Sequence, residues 1–161
     1  MRPTILIVDG LPPSSKANGL RDALSLTHDT HYLSFAKIAG LSSNKISRTL
    51  DETMQTICQS CESLAIVGVS FGAYVLAHSN DILVKYKNSI KGIYLYSPVA
   101  RINEVIGIGT LPDYLNKKYP NLKITLQDLR GLDAYFSKHN LLHGELAKKT
   151  KIILGKNDSQ L

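Results

Sequence analysis

Short runs of continuously apolar residues alternate along this chain with longer segments in which apolar residues recur at three- and four-residue steps. The clearest runs, rich in Ile, Val, Leu and Tyr, cover residues 4–8, 64–67 and 93–96. Runs so short and apolar throughout are typical of strands buried on both faces. Helical segments between such strands are typical of crossover connections. The alternation therefore predicts an α/β fold with three layers, α/β/α, around a mainly parallel sheet.

The same pattern sets the expected order of elements within one domain spanning residues 1–161. A chain of 161 residues, 43% of them hydrophobic, can bury one core of ordinary size. Glycines and prolines interrupt the periodicity between residues 99 and 127, which we interpret as a lid or excursion. The predicted strands are 4–8, 32–35, 64–67, 93–96 and 151–154, and the predicted helices are about 15–27, 42–58, 71–86 and 129–147.

Charge and hydropathy argue against two classes of partner. The net charge is +6, but the lysines are scattered over loops and element ends, so we interpret them as a solvated surface and expect no nucleic-acid binding. No apolar run approaches the roughly 20 residues that a membrane-spanning helix needs. The N-terminus also lacks the pattern of a signal peptide. We expect a cytoplasmic protein that does not bind membranes.

Two further motifs are weak indications of a metal or cofactor. Cys58 and Cys61 have the spacing of half a zinc site, but no second pair follows, and they end a predicted helix instead of beginning one. The pair Gly107-Ile108-Gly109 follows no predicted strand and lacks the third glycine of a dinucleotide-binding loop. A Rossmann-like or flavodoxin-like nucleotide binder, which the same element order permits, therefore lacks its fingerprint. We expect neither metal nor cofactor.

The most specific motif is Gly68-Val69-Ser70-Phe71-Gly72. It lies where a predicted buried strand turns directly into a predicted helix. In that context a serine adopts a strained backbone conformation that points its side chain out above the sheet, and bulky residues two positions away on either side would collide. The motif predicts that Ser70 is a nucleophile on a sharp turn with positive φ, the alternative being a plain strand-to-helix turn.

Backbone amides near this turn are candidates for an oxyanion hole. The helix that begins at Phe71 has free N–H groups at its N-terminus, where its dipole is positive. The loop after the first strand, at Gly10-Leu11, should bring a second amide close to Ser70. We predict Phe71 and Leu11 as the two donors.

With these motifs, the order of elements resembles the α/β-hydrolase superfamily, beginning at what would be its third strand and shortened at both ends. The resemblance rests on the turn at 68–72, on Asp9-Gly10 in place of the oxyanion loop, and on residues 155–158 in place of the loop that bears the catalytic acid. It covers nearly the whole chain.

The resemblance implies a serine hydrolase of the esterase, thioesterase or amidase type. Ser70 would be its nucleophile and Asp158 its acid, acting on a small-molecule ester, thioester or amide without a cofactor. In that family a histidine follows the acid along the chain and takes the serine proton. Here the sequence ends at Leu161, so we expect this chain to be incomplete or inactive as an enzyme.

None of the histidines in the sequence is a strong substitute for that base. The first two flank the start of the second strand, at the sheet end opposite Ser70. The third lies eight helical positions from Ser70, roughly 12 Å at 1.5 Å per residue. The last two lie in the helix that runs back from the catalytic end. The five are His28, His31, His78, His139 and His143.

Two alternatives therefore stay open: a serine hydrolase, and a non-catalytic α/β-hydrolase-like binding or interaction protein. In the family a further strand would pair with residues 151–154. Without it, that edge is open, and we expect either self-association through it or further sequence beyond Leu161 in the natural form. The lysines placed to discourage such pairing are Lys148, Lys149, Lys151 and Lys156.

Overall fold

The computed structural model of the protein describes residues 2–11, 15–98, 102, 107–139 and 141–154. Within these ranges the strands are β1 (Thr4–Val8), β2 (Asp29–Leu33), β3 (Leu64–Val69), β4 (Ile90–Tyr96) and β5 (Thr150–Ile153). The helices are α1 (Ser15–Ser25), α2 (Ser43–Ser60), α3 (Phe71–Ala77), α4 (Asn80–Leu83), α5 (Leu111–Lys118), α6 (Leu126–Phe136) and α7 (Gly144–Lys148). Short 3-10 turns lie at Ala39–Leu41 and Val84–Tyr86.

The described strands form one parallel sheet in the order β2-β1-β3-β4-β5. Helices cover both faces of this sheet. All residues of β1 are buried, as expected for a central strand covered on both sides. The predicted three-layer α/β/α fold is confirmed. Because the strands are parallel, their C-terminal ends all lie at one edge, which we call the C-terminal edge.

Helix α2 shows how the periodic pattern produces the core. Ile46, Leu50, Met54 and Ile57 recur at three- and four-residue steps, and each is at most 2% exposed. Burying a side chain of this size contributes about 1.5–3 kcal/mol. The stripe fixes which face of α2 packs inward, as predicted from the sequence.

Two predicted helices are each divided in two. The segment predicted as one helix from 71 to 86 breaks between α3 and α4, where the hydroxyl of Ser79 donates to the carbonyl of Val75 at 2.6 Å. Hydroxyl back-bonding of this kind competes with the regular helix ladder. The segment predicted from 129 to 147 instead forms α6 and α7. Helix α6 begins three residues early because Thr125 and Asp128 form a reciprocal capping box.

The second strand lies three residues earlier than predicted, because β2 is an edge strand with polar residues at its start. Its burial is only partial, so it lacks the continuous apolar run by which the central strands are recognised. Within the predicted excursion at 99–127, the described part includes α5 and the start of α6. Whether that segment acts as a lid stays a prediction.

Candidate functional site

The chain order reverses between β1 and β3, whose last residues lie at the C-terminal edge. From β1 the chain crosses outward to β2, then returns past β1 to form β3 on the other side. Ligands of open parallel sheets bind where the strand order reverses in this way, outside the carboxyl ends of the strands. Asp9 and Gly10 follow β1 at this point, and Ser70 follows β3.

Ser70 has the strained backbone that its motif predicts. Its φ is 49° and its ψ is −113°, a combination that costs a non-glycine residue about 1–3 kcal/mol. The Ser70 N–H donates to the carbonyl of Tyr96 at 2.9 Å, which ties the turn to the end of β4. The prediction of positive φ is confirmed, and the role of Ser70 as a nucleophile stays a prediction.

The glycines on either side of Ser70 are required by close packing. A Cβ on Gly68 would lie 2.7 Å from the Cα of Ala73, and one on Gly72 would lie 2.2 Å from the carbonyl oxygen of Val8. The colliding atoms are backbone atoms and cannot move independently. The turn is therefore pressed against both its own helix and the end of β1, as the motif predicts.

The structure describes the backbone of both predicted oxyanion donors, and their role stays a prediction. Phe71 is the first residue of α3, so its N–H points away from the helix ladder. The N–H of Gly10 donates to the Oδ1 atom of its neighbour Asp9 at 2.7 Å and is thus already used. This leaves Leu11 as the predicted donor from the loop after β1.

Asp9 itself is a site residue whose side-chain role the sequence does not reveal. It is fully buried at the C-terminal edge, and its Oδ2 atom accepts a hydrogen bond from the hydroxyl of Tyr32. Burial, together with this bond to the carboxylate, raises the pKa of Tyr32 well above its usual range. Tyr32 therefore stays protonated as a donor. An acidic residue directly after a fully buried strand was the available sequence signal.

An aromatic and polar chain links the turn to the excursion. The ring of Phe71 packs against Phe35 and Tyr74, each at 6.1 Å between centroids. The Tyr74 hydroxyl donates to the Oδ1 atom of Asp133 at 3.0 Å, and the N–H of Ile102 donates to the same oxygen at 3.1 Å. Burial and the charge of Asp133 raise the pKa of Tyr74 far above its usual range, which keeps the phenol protonated.

The structure places all five histidines away from Ser70. The first is bonded to its neighbour Thr27 before β2, and the second lies within β2, opposite Leu6, instead of before it as predicted. The third follows the last residue of α3, at the far end of that helix from Ser70. They are His28, His31 and His78.

The last two histidines contact residues of α6 and α4. The ring of His139 packs on Tyr135 at 4.3 Å, and its Nδ1 atom lies 2.8 Å from the carbonyl oxygen of the same residue. The Nε2 atom of His143 lies 3.0 Å from the amide nitrogen of Asn80, which begins α4. Neither ring is placed to take a proton from Ser70.

Other candidate groups add no second reactive centre. Burial raises the pKa of the Cys58 thiol, which disfavours the thiolate. Among the described residues no group of His, Cys, Asp or Glu side chains is arranged to hold a metal ion. No described helix is both long and apolar enough to cross a membrane. The predicted acid, Asp158, lies outside the described residues.

Comparison with known proteins identifies the fold. No family model and no curated protein matches the sequence. Solved structures do match. One is YbtT, a type II thioesterase from the yersiniabactin NRPS/PKS biosynthetic pathway. Its TM-score is 0.58 at 13% sequence identity, and the match covers 98% of this chain and 75% of the YbtT chain. A membrane phospholipase A, described as a novel bacterial virulence factor, has a TM-score of 0.55 at 18% identity over 99% of this chain and 64% of its own.

The fold of this chain is α/β-hydrolase-like, as the resemblance in the sequence implied. The likeness rests on the five-stranded parallel sheet and the helices on both of its faces. At 13% and 18% identity, these neighbours show the fold and nothing finer about this chain.

Proposed function

We propose that this chain is a serine hydrolase acting on a small-molecule ester, thioester or amide, with Ser70 as its nucleophile. The observation that supports this most strongly is the positive φ of Ser70 between Gly68 and Gly72, whose positions are closely packed against backbone atoms of Ala73 and Val8. A plain turn needs no strained serine at this position. The descriptions of the two similar structures, a thioesterase and a phospholipase, support this class of bond.

In the proposed reaction, the Ser70 hydroxyl oxygen attacks the carbonyl carbon while its proton passes to a general base. The negative charge that develops on the carbonyl oxygen is stabilised by the N–H groups of Phe71 and Leu11. Collapse of the tetrahedral intermediate expels the alcohol, thiol or amine, which takes up a proton, and leaves an acyl group on Ser70. Water then hydrolyses this acyl-enzyme. Asp158 is the proposed acid that orients the base.

Each of the five histidines contacts residues other than Ser70, and we infer that none of them is that base. We therefore expect the 161-residue chain to turn over activated esters slowly, because the serine proton is held at an alcohol-like pKa. Oxyanion donors and binding alone leave residual catalysis on the order of 10³ to 10⁴ over water. Turnover at ordinary enzyme rates, abolished by His139→Ala or His143→Ala, would contradict this expectation.

The decisive experiment is acyl trapping. The chain is incubated with p-nitrophenyl acetate at alkaline pH, where hydroxide replaces the missing base, and the acetylated residue is located by mass spectrometry. We expect acetylation of Ser70 to exceed that of other serines on the order of 10²- to 10³-fold, the usual effect of an oxyanion donor. Ser70→Ala should abolish this fast acetylation.

Ser97 provides the matched control. It too has positive φ, 46°, and follows the end of β4 at the same edge, but it does not begin a helix. The variant Ser97→Ala should leave the acetylation of Ser70 unchanged. Acetyl groups spread over surface lysines and serines, with no preference for Ser70, would overturn the proposed nucleophile.

A second candidate function, a non-catalytic α/β-hydrolase-like binding or interaction protein, is favoured by the positions of the five histidines. The acyl-trapping experiment separates the two. A binding protein would show no preferential acetylation of Ser70.

A further inference from the structure

A cavity of about 770 Å³ lies at the C-terminal edge beside the end of β2. Its walls are residues 32–34 and 36–37 on one side and 118–121 on the other. The first segment is the end of β2 and the residues that follow it. The second is the last residue of α5 and the loop that follows it. The volume is in the range typical of small-molecule sites.

The charged side chains that line this cavity are positive. Lys37 and Lys118 belong to the lining, and no acidic residue does so among the described residues. Neither lysine lies within ion-pair distance of a described carboxylate. The nearby carboxylate of Asp9 already accepts bonds from Gly10 and Tyr32. The cavity therefore presents two uncompensated cations.

Aromatic rings provide the apolar part of the lining. Tyr32 and Tyr119 both border the cavity. The guanidinium of Arg21 lies over the Tyr32 ring at 5.5 Å, and the ammonium of Lys118 lies 5.8 Å from the centre of the Tyr119 ring. Rings beside cations suit a ligand that combines an apolar or aromatic body with a negative group.

The cavity is joined to the turn at Ser70 by direct packing. Phe35, flanked by the lining residues Ser34 and Ala36, makes an edge contact with Phe71, the residue after Ser70. Strand β2 is two strands from β3, so at about 4.8 Å per strand the cavity begins on the order of 10 Å from Ser70. That distance is within the length of a single extended small molecule.

We propose that this cavity binds the anionic group, carboxylate or phosphate, of a small organic ligand, with Lys37 and Lys118 as the residues that select the charge. That this ligand is a substrate whose acyl carbon reaches Ser70 rests on the proposed hydrolase function. The binding of the anion does not depend on it.

The test uses three probes of similar shape: benzoate, phenyl phosphate and the neutral benzamide. Binding to the whole chain is followed by NMR shifts of backbone amides. We expect the anions to shift residues 32–37 and 118–121 and to bind about 5- to 30-fold more tightly than benzamide, which corresponds to two partly exposed ion pairs. The preference should fall as NaCl is raised. The carboxylate and phosphate arms show which anion is preferred.

Matched variants identify the residues responsible. Lys37→Gln with Lys118→Gln should remove the preference for anions, whereas Lys117→Gln with Lys123→Gln, which changes two exposed lysines outside the cavity lining, should leave it intact. Equal affinity for benzamide and the anions, or shifts confined to other surfaces, would overturn the proposal. So would an anion preference that both double variants reduce equally.

A second readout separates this proposal from the proposed hydrolase. Acylation of Ser70 by the mono-p-nitrophenyl ester of suberic acid is compared with acylation by the neutral p-nitrophenyl octanoate. We expect the anionic ester to react faster, and the variant with both Lys37→Gln and Lys118→Gln to lose this advantage. Anion binding without acylation of Ser70 by either ester would refute the hydrolase while the binding site stands.

Discussion

A glycine that is pressed against backbone is a tighter constraint on sequence than a glycine in an open turn, and Gly72 illustrates the difference. Its missing side chain would meet the carbonyl oxygens of Val8 and Asp9 at 2.2 and 2.6 Å. We expect Gly72→Ala to lower the free energy of unfolding by at least 1–3 kcal/mol, roughly the cost of overpacking a well-filled site. Denaturant titration measures this loss, and acylation of Ser70 should fall with it.

Gly131 is the matched control. It lies within α6, is exposed, and a Cβ there would meet nothing within 4 Å. We expect Gly131→Ala to raise stability by about 0.5–1 kcal/mol, because alanine is the better helix former. Equal effects of the two substitutions would show that the packing around Gly72 is wrongly described.

The hydrogen bond between Tyr32 and Asp9 gives a prediction with a defined pH dependence. Tyr32→Phe removes a donor to a buried carboxylate, and we expect it to cost about 1–2 kcal/mol of stability at pH 7. The pKa of Tyr32 is raised in the folded state, so its contribution is fully present below the usual tyrosine pKa and is lost as pH rises above it.

The difference in unfolding free energy between wild type and Tyr32→Phe should therefore be constant from about pH 6 to 9 and shrink above about pH 10. Urea titrations across this range measure it. A difference that shrinks toward acid pH, with no change at alkaline pH, would contradict the role assigned to the phenol.

At the scale of elements, hydrogen bonds to Asp133 connect α6 with α3 and with the backbone at Ile102. The Asp133 carboxylate, on α6, accepts bonds from Tyr74 on α3 and from the backbone of Ile102. Asp133→Leu would leave both donors without this acceptor, and we expect a loss of about 2–4 kcal/mol because each buried unpaired donor costs about 1–3 kcal/mol. Asp133→Asn keeps an oxygen acceptor and should cost less.

Hydrogen exchange checks where the Asp133→Leu variant is loosened. We expect faster exchange in α6 and at Ile102, while amides of β1, at the centre of the sheet, change only as far as global stability does. Uniform acceleration throughout the chain would mean that Asp133 stabilises the fold without anchoring these segments.

The same contrast between local and distant interactions explains how much the sequence reveals. Strand β1 is predicted at its observed bounds, and β3 begins at the predicted residue, because continuous apolar runs depend only on near neighbours. The turn at Ser70 is predicted for the same reason. The break after α3 is not predicted, because Ile82 and Leu83 continue the apolar spacing of a single helix. The hydrogen bond from the Ser79 hydroxyl to the Val75 carbonyl leaves no signal in that spacing.

Contacts between distant residues leave no comparable signal. Tyr32 reaches Asp9 because β2 pairs with β1 in a register that sets Tyr32 beside Ile7, and neither the pairing nor the register is visible in the sequence. The cavity beside β2 depends on where the loop after α5 packs, which periodicity does not specify. The backbone geometry of Ser70 could thus be predicted from the sequence, and the contacts around it could not.

For the molecule as a whole, the outer edge of β5 is the feature with the clearest consequence. Within the described residues β5 pairs only with β4. Ile152, Ile153 and Leu154 are 62%, 41% and 56% exposed. Lys149 is one of the lysines predicted to discourage pairing at this edge. Its ammonium instead donates hydrogen bonds to the carbonyls of Lys87 and Ile90.

We therefore expect the 161-residue chain to self-associate through this edge, because an unpaired strand with exposed apolar side chains is a template for pairing with another chain. Ile152→Lys places a charge on the edge and should shift the chain toward monomer in sedimentation experiments. Tyr114→Lys, which alters an exposed aromatic residue on α5, should not do so. Association that both variants weaken equally would point to general apolar adhesion. A wild-type chain that stays monomeric at high concentration would show that this edge is protected from pairing and would contradict the expected self-association.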